Sequence, residues 1–359
     1  MTYRTAIVGL SWIGADPAGE PSDPVLGTAT PYSHASAMAP IPEIDVVGGC
    51  DISAAARDRF TATWGGRWPG AKTYGDYRQM LAELKPEIVS VVTPDHLHKD
   101  VVLAAIEHGA KGIFCDKPLS VSLAEADEMV KAVRDAGVVM AVNYGRRWYP
   151  QYAEARRIVR AGEIGPLSQI VCVTGGPRAM LWRNHTHVID LMNFLADAEP
   201  DWVFGELEHG YADYGTSYKG DGGSDPATEP GANFYIAYKN GVRAYVTGFK
   251  DTPPGEPAVT LAGPKGKVII DLLGMRLITF EAADVRVRPA AQVIEVIEPK
   301  FTVTGMQAAV LDLIRCIEHG GETQSPPEIA RRTVAVTDAI LLSQARGNVP
   351  VKLSELDPA

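Results

Sequence analysis

The 359-residue sequence predicts an α/β chain in two parts, a doubly wound parallel sheet followed by an α/β domain on a large, mostly antiparallel open sheet. Three observations predict it. Over the first 145 residues short apolar runs alternate with helical stretches, the pattern of parallel strands buried on both faces and joined by helical crossovers. After Pro150 the apolar residues recur with period two between turn signals, as in antiparallel strands with one wetted face. The closing 55 residues return to helical periodicity.

Taken in order, residues 6–8, 44–47, 88–92, 112–115 and 138–142 are the expected strands of the first sheet, and a weak one at 71–73 makes six. Residues 53–63 form an alanine-rich helix. Residues 76–84 place Tyr77, Met80, Leu81 and Leu84 on one helical face. Residues 99–108 are stopped by Gly109, and Ser122 with Glu125 is a capping box that opens a helix to about 136, closed by Gly137. Such alternation implies right-handed crossovers, with the first and fourth strands at the topological switch point, so the loops after Val8 and Val92 should face one crevice. The second part opens on a helix at 151–161. Strands follow at 168–174, 233–238, 242–249, 258–262, 267–272 and 277–280, with helices at 305–319 and 330–344. Residues 211–231, polar and glycine-rich, are too long for a simple turn, and loops of that length are often functional.

The balance of charges, −10 overall, disfavours nucleic acid and anionic membranes as partners. The four cysteines form no CxxC pair, so neither a disulfide framework nor a metal site is expected. The first apolar run stops at Gly9, which makes no signal peptide. No stretch approaches the roughly 20 apolar residues of a membrane span, so a cytoplasmic protein is expected.

Directly after the first strand, Gly9-Leu10-Ser11-Trp12-Ile13-Gly14 reads as GxGxxG with Ser11 in place of the middle glycine. In that position the loop lays its backbone against a pyrophosphate. Residues 15–31, full of Pro, Gly and Asp, cannot continue the helix and read as an insertion, with the helix restarting near 32–39. Asp51 ends the second strand, followed by Ile52. A carboxylate there hydrogen-bonds the adenosine ribose and repels a 2′-phosphate, which favours NAD over NADP, although Arg57 lies near. Thr93 and Pro94 floor the crevice after the fourth strand, and His98 either reaches the cofactor side or caps its helix. After the fifth strand, Cys115-Asp116-Lys117-Pro118 fixes a lysine at the crevice mouth, where an ammonium can hold a substrate hydroxyl and stabilise alkoxide character. A salt bridge with Asp116 is the alternative.

These residues, with Tyr74-Gly75-Asp76-Tyr77, Leu119, the stretch from Asn143 to Arg147 followed by Trp148 and Pro150, and His187 with Asp190, resemble the glucose–fructose oxidoreductase / inositol dehydrogenase / MocA family along essentially the whole chain. Asp116 stands where that family usually has glutamate. The resemblance implies a Rossmann NAD-binding domain over 1–146 and a substrate-binding and oligomerisation domain over 147–359, whose closing helix can pack back on the first. It also implies a homodimer or homotetramer joined through the open sheet. By carry-over Lys117 is the motif lysine and His187 the general base. Gly9, Ser11, Trp12, Ile13, Gly14, Asp51, Ile52, Thr93, Pro94, His98, Asp116, Lys117 and Trp182 are the expected cofactor contacts. Tyr144, Arg147, Arg183, Asn184 and His185 are the expected substrate contacts.

In a further respect the chain departs from the family. An aspartate commonly stands four residues before the histidine, and here that position is Arg183. Arg146, Arg147, Arg178 and Arg183 gathered at one pocket would favour an anionic sugar or sugar acid. The leading expectation is an NAD-dependent dehydrogenase acting on a carbinol of a sugar, polyol or sugar acid. The alternatives are redox-assisted glycoside cleavage with recycled, tightly bound NAD, and a non-catalytic NAD-binding regulator.

Overall fold

The computed structural model describes residues 1–17, 32–216, 218, 220, 225–252, 255, 257–280, 291–297, 303 and 305–356. The insertion expected at 15–31 lies outside the described residues from 18 onward.

The first part runs β1 (Tyr3–Val8), α1 (His34–Met38), β2 (Ile44–Cys50), α2 (Ala54–Trp64), β3 (Lys72–Tyr74), α3 (Tyr77–Leu84), β4 (Ile88–Val91), α4 (His98–Glu107), β5 (Gly112–Cys115), α5 (Leu123–Ala136) and β6 (Val139–Val142). All six strands are parallel in the order β3-β2-β1-β4-β5-β6. This is the arrangement expected from the alternating signals, with β1 and β4 adjacent where the order reverses. The serine half of the expected capping box forms, with Ser122 accepting from Glu125 N, and Gly137 closes α5 at φ 64°.

The second part runs α6 (Pro150–Arg160), β7 (Gln169–Val173), a π-helical segment Leu181–His185, α7 (Thr186–Ala196), β8 (Pro200–Leu207), β9 (Ala232–Tyr238), β10 (Arg243–Thr247), β11 (Ala258–Gly263), β12 (Gly266–Asp271), β13 (Gly274–Phe280), β14 (Ala291–Ile297), α8 (Gly305–His319), α9 (Pro327–Ala345) and β15 (Val351–Lys352). The strands form one sheet in the order β14-β13-β12-β11-β7-β10-β9-β8-β15, antiparallel throughout except for β7 beside β10. The period-two reading passed over β8, β14 and β15. In β8, Pro200 and Gly205 interrupt the run, yet a Cβ at Gly205 would lie 2.7 Å from Ile340 Cγ2, so the strand needs glycine there for α9 to pack on it.

Two core clusters join the parts. One runs continuously from the first sheet through α5, α7 and α9 into the inner face of the second sheet. The other covers the opposite face of the first sheet and includes Ala309, Val310, Leu313 and Ile314 of α8. The chain therefore crosses back to its first sheet through α8 before β15 adds the last strand of the second.

Candidate active site

The glycine loop closes against the end of β4. At Gly9, where φ is 97°, a Cβ would lie 2.2 Å from Val92 O, and at Gly14 one would lie 2.2 Å from Gly9 O. Neither position can carry a side chain, which is the tight turn and close packing that a phosphate-binding loop after a first strand requires. Asp51 turns back onto this loop: its Oδ2 accepts from Leu10 N at 2.9 Å and from Ser11 Oγ at 3.5 Å, and its Oδ1 accepts from Ser53 N at 2.8 Å. Ile52 next to it is 93% exposed and packs against nothing. Trp12, at φ 52°, holds its ring out from the loop beneath the guanidinium of Arg178, 5.3 Å from the centroid. Across the crevice Thr93 keeps a buried hydroxyl without a protein partner, beside Pro94. A bare glycine cradle, a carboxylate at the end of β2 and an orphaned hydroxyl facing it fit a dinucleotide.

His98 is placed differently from the expectation that it reaches the cofactor. It is fully buried, with Nδ1 2.8 Å from Pro118 O and Nε2 3.0 Å from Thr93 O. Two carbonyls facing both ring nitrogens suit an imidazolium. Burial opposes that charge, but Cys115, Asp95 and Asp116 outweigh it and push the pKa up to about 10. His98 ties the loop after β4 to the loop after β5 from behind.

Lys117 and His187 face one cleft of about 170 Å³, shared with Ile13, Asp116, Asn143 and Arg146. Lys117 is 8% exposed and donates to Arg183 O at 2.7 Å. Burial lowers its pKa, while Asp116 and Asp95 act to keep the proton on. Asp116 accepts from Asn143 Nδ2 at 2.9 Å. Despite its burial it is held well below the usual carboxylate range by His34, Lys117 and Asn143. His187 lies in the first turn of α7, with the ring of Tyr144 edge-on at 6.0 Å. Burial, then the charges of Lys117 and Arg146, pushes its pKa well below the ordinary histidine value, so the ring is neutral at neutral pH.

The four arginines do not converge. Arg147, expected to meet substrate, is 4% exposed and grips Asp190 of α7 through Nε and Nη2 at 2.8–3.0 Å, with Nη1 on Gln324 O. Its charge is spent inside the protein. Arg178 lies over Trp12, and Arg183 sits 3.8 Å from Glu229, leaving Arg146 on the cleft. Trp182, expected at the cofactor, is 2% exposed and stacks on Tyr218 at 5.0 Å. His185 is buried edge-on to Phe234, with its pKa lowered to about 4 by burial. Asn184 is half-buried within the π-helical segment.

Sequence reasoning missed Glu229, Asp95, Tyr218 and His34. Glu229, 3% exposed, accepts from Trp182 N at 2.9 Å, and Tyr218 donates its hydroxyl to Asp95. Asp95 stood next to Thr93-Pro94 and could have been read with them. Glu229 and Tyr218 lie in the polar loop at 211–231, where no spacing signals a partner. Among the described residues no group of three His, Cys, Asp or Glu could hold a metal, and no helix is long and apolar enough to cross a membrane.

Residues 3–144 match the family profile described as the GFO/IDH/MocA oxidoreductase family, NAD-binding Rossmann fold, and residues 152–269 match the GFO/IDH/MocA C-terminal domain. The chain is 28% identical over 213 residues to inositol 2-dehydrogenase of Salmonella typhimurium, covering 55% of this chain and 56% of that protein. It is 29% identical over 220 residues to scyllo-inositol 2-dehydrogenase (NAD(+)) of Bacillus subtilis, covering 58% and 62%. The matched stretch thus spans little over half the length of these relatives. An oxidoreductase from Agrobacterium radiobacter, solved with NAD+, L-tartaric acid and magnesium, superposes with TM-score 0.74 at 16% identity over 99% of this chain and 100% of its own.

Proposed function

The chain belongs to the GFO/IDH/MocA oxidoreductase family and carries its NAD-binding Rossmann domain, and we propose that it oxidises a secondary carbinol of a polyol or sugar. The observation that carries this reading is the pairing, at one cleft, of a buried lysine beside an ionised aspartate with a neutral histidine. Bound NAD would supply the hydride acceptor, at C4 of its nicotinamide. The glycine loop would hold its diphosphate and Asp51 its adenosine ribose. Lys117 donates to the reacting hydroxyl oxygen and stabilises negative charge there, and neutral His187 takes up the proton. In this cluster the charges balance, with Lys117, Arg146 and Arg183 set against Asp116, Glu229 and Asp95. That balance favours a neutral polyhydroxyl substrate over the anionic one that four converging arginines would have selected.

The test is NADH absorbance with NAD and a panel of inositols, aldoses, uronates and glycosides, with product analysis alongside. Stoichiometric NADH, greatest on neutral polyols, is expected. Product without net NADH would replace this reading by redox-neutral glycoside cleavage, and tight NAD binding with neither signal would replace it by a regulator.

Asp51→Ser is expected to weaken NAD binding by about 10–100-fold, the loss of charge-assisted bonds to a diol, and to narrow the preference over NADP. Fluorescence titration with both nucleotides measures this, and an unchanged ratio would remove Asp51 from the ribose site. The outer face of the second sheet exposes Val171, Val173, Phe204 and Tyr245, with Trp202 stacked on Tyr235 at 4.9 Å. We assign this face to a second copy of the chain. Tyr245→Glu should yield monomers in light scattering, and an unchanged mass would refute the assignment.

A further inference from the structure

His34 is the first residue of α1 and has no place in the chemistry above. It is fully buried, and its backbone and side chain face different parts of the site. His34 N donates to Ile13 O at 2.9 Å and Ala35 N to Gly14 O at 3.0 Å, so the start of α1 is pinned to the end of the glycine loop. The ring lies on Phe114 at a centroid distance of 4.5 Å, with Nδ1 2.8 Å from Ser90 Oγ on β4. Nε2 faces Asp116 Oδ1 at 3.7 Å and Asn143 Nδ2 at 3.4 Å.

One set of protons satisfies this cluster. Asn143 Nδ2 already donates to Asp116 Oδ1. The second hydrogen of that amide nitrogen goes to His34 Nε2, which accepts it, so Nδ1 carries the ring hydrogen and donates to Ser90 Oγ. Two residues, His34 of α1 and Asn143 after β6, thereby meet the carboxylate that precedes Lys117 in the chain, and α1 begins at the cofactor loop. Buried polar groups satisfied in this way fix one another's geometry.

Resting on the assignment of Lys117 above, we propose that His34 is a positioning residue that joins the glycine loop to Lys117 through Asp116. It fixes Asn143 against Asp116 and so holds that carboxylate in place, and Asp116 in turn keeps the Lys117 ammonium charged and aimed at the cleft. Lys117 also faces Asp95, Glu229 and Arg183, none of which contacts His34, so the contribution through Asp116 can be isolated.

Three variants of the full chain test this. His34→Phe keeps a ring on Phe114 and removes both nitrogens, His34→Gln retains an amide oxygen that can accept from Asn143, and Ser90→Ala removes only the hydroxyl. In His34→Phe kcat should fall about 10–100-fold, the range for a misplaced catalytic group, with substrate KM little changed. The alkaline limb of kcat should move to lower pH, because Lys117 loses part of the field that keeps it protonated. NAD binding, titrated by tryptophan fluorescence without substrate, should weaken several-fold. His34→Gln should regain most of kcat, and Ser90→Ala should lose only a few-fold. Wild-type kcat and pH limb in His34→Phe, or no recovery in His34→Gln, would overturn the proposal. Should His34→Phe not fold, an unchanged kcat and limb in Ser90→Ala overturns it alone. Turnover surviving in Lys117→Met would instead mark failure of the underlying reading.

Discussion

Lys117→Met lowers kcat by about 10²–10⁴-fold while NAD still binds, the expected result of removing one proton-handling group from a positioned pair. Methionine nearly preserves the stem, so the packing that makes Lys117 only 8% exposed survives. What disappears is the charge beside the reacting oxygen and the bond to Arg183 O. Retained NAD affinity follows because the glycine cradle and Asp51 lie on the other side of the crevice. The pH profile adds a second constraint. The pKa of His187 is depressed, so its base form persists below pH 6.5 and is lost only as pH falls through the lowered value. Lys117 is depressed from 10.5 and must stay protonated, so activity is lost as pH rises through that lowered value. The bell of kcat should therefore have its acid limb below pH 6.5 and its alkaline limb below 10.5. Turnover surviving in Lys117→Met, or an acid limb above 6.5, would show that the reacting proton passes elsewhere.

The first sheet was legible because its central strands β4 and β5 are buried on both faces and the helices α2, α3 and α5 open on the side-chain caps Ser53, Asp76 and Ser122, so the local signals agree with the global fold. Asp116-Lys117-Pro118 was legible for a related reason, since a lysine wedged between strand and proline has few places to go. The partners of that lysine were not. Glu229 and Asp95 reach it from loops more than a hundred residues apart, and His34 approaches Asp116 from α1, far earlier in the chain. Spacing along the chain carries no record of such contacts. The strand β8 was lost to Pro200 and Gly205, whose local preferences yield to packing against α9.

Arg147 gives the sharpest case of a residue type read correctly and a role read wrongly. A guanidinium beside a cleft has the same sequence signature whether it meets a ligand or a buried carboxylate 43 residues away, as it does here in Asp190. The two roles predict opposite variants. Burial raises the pKa of Asp190 and Arg147 works against that rise, so Arg147→Met strands an uncompensated carboxylate in the core. The expected loss is about 3–5 kcal/mol of stability, read as a lower denaturant midpoint. It also forfeits the bond to Gln324 O and the cation seated 5.0 Å over Phe194. In the double variant Arg147→Met/Asp190→Leu both charges leave together, no group remains to be desolvated, and most of the loss should be recovered. Substrate KM of the folded fraction should stay near wild type throughout, because Arg147 points away from the cleft that Lys117 and His187 share. A single variant that folds normally but raises KM would restore Arg147 to the substrate. Stability recovered only in the double variant would fix it as the pin between the end of the first sheet and the helix that carries His187.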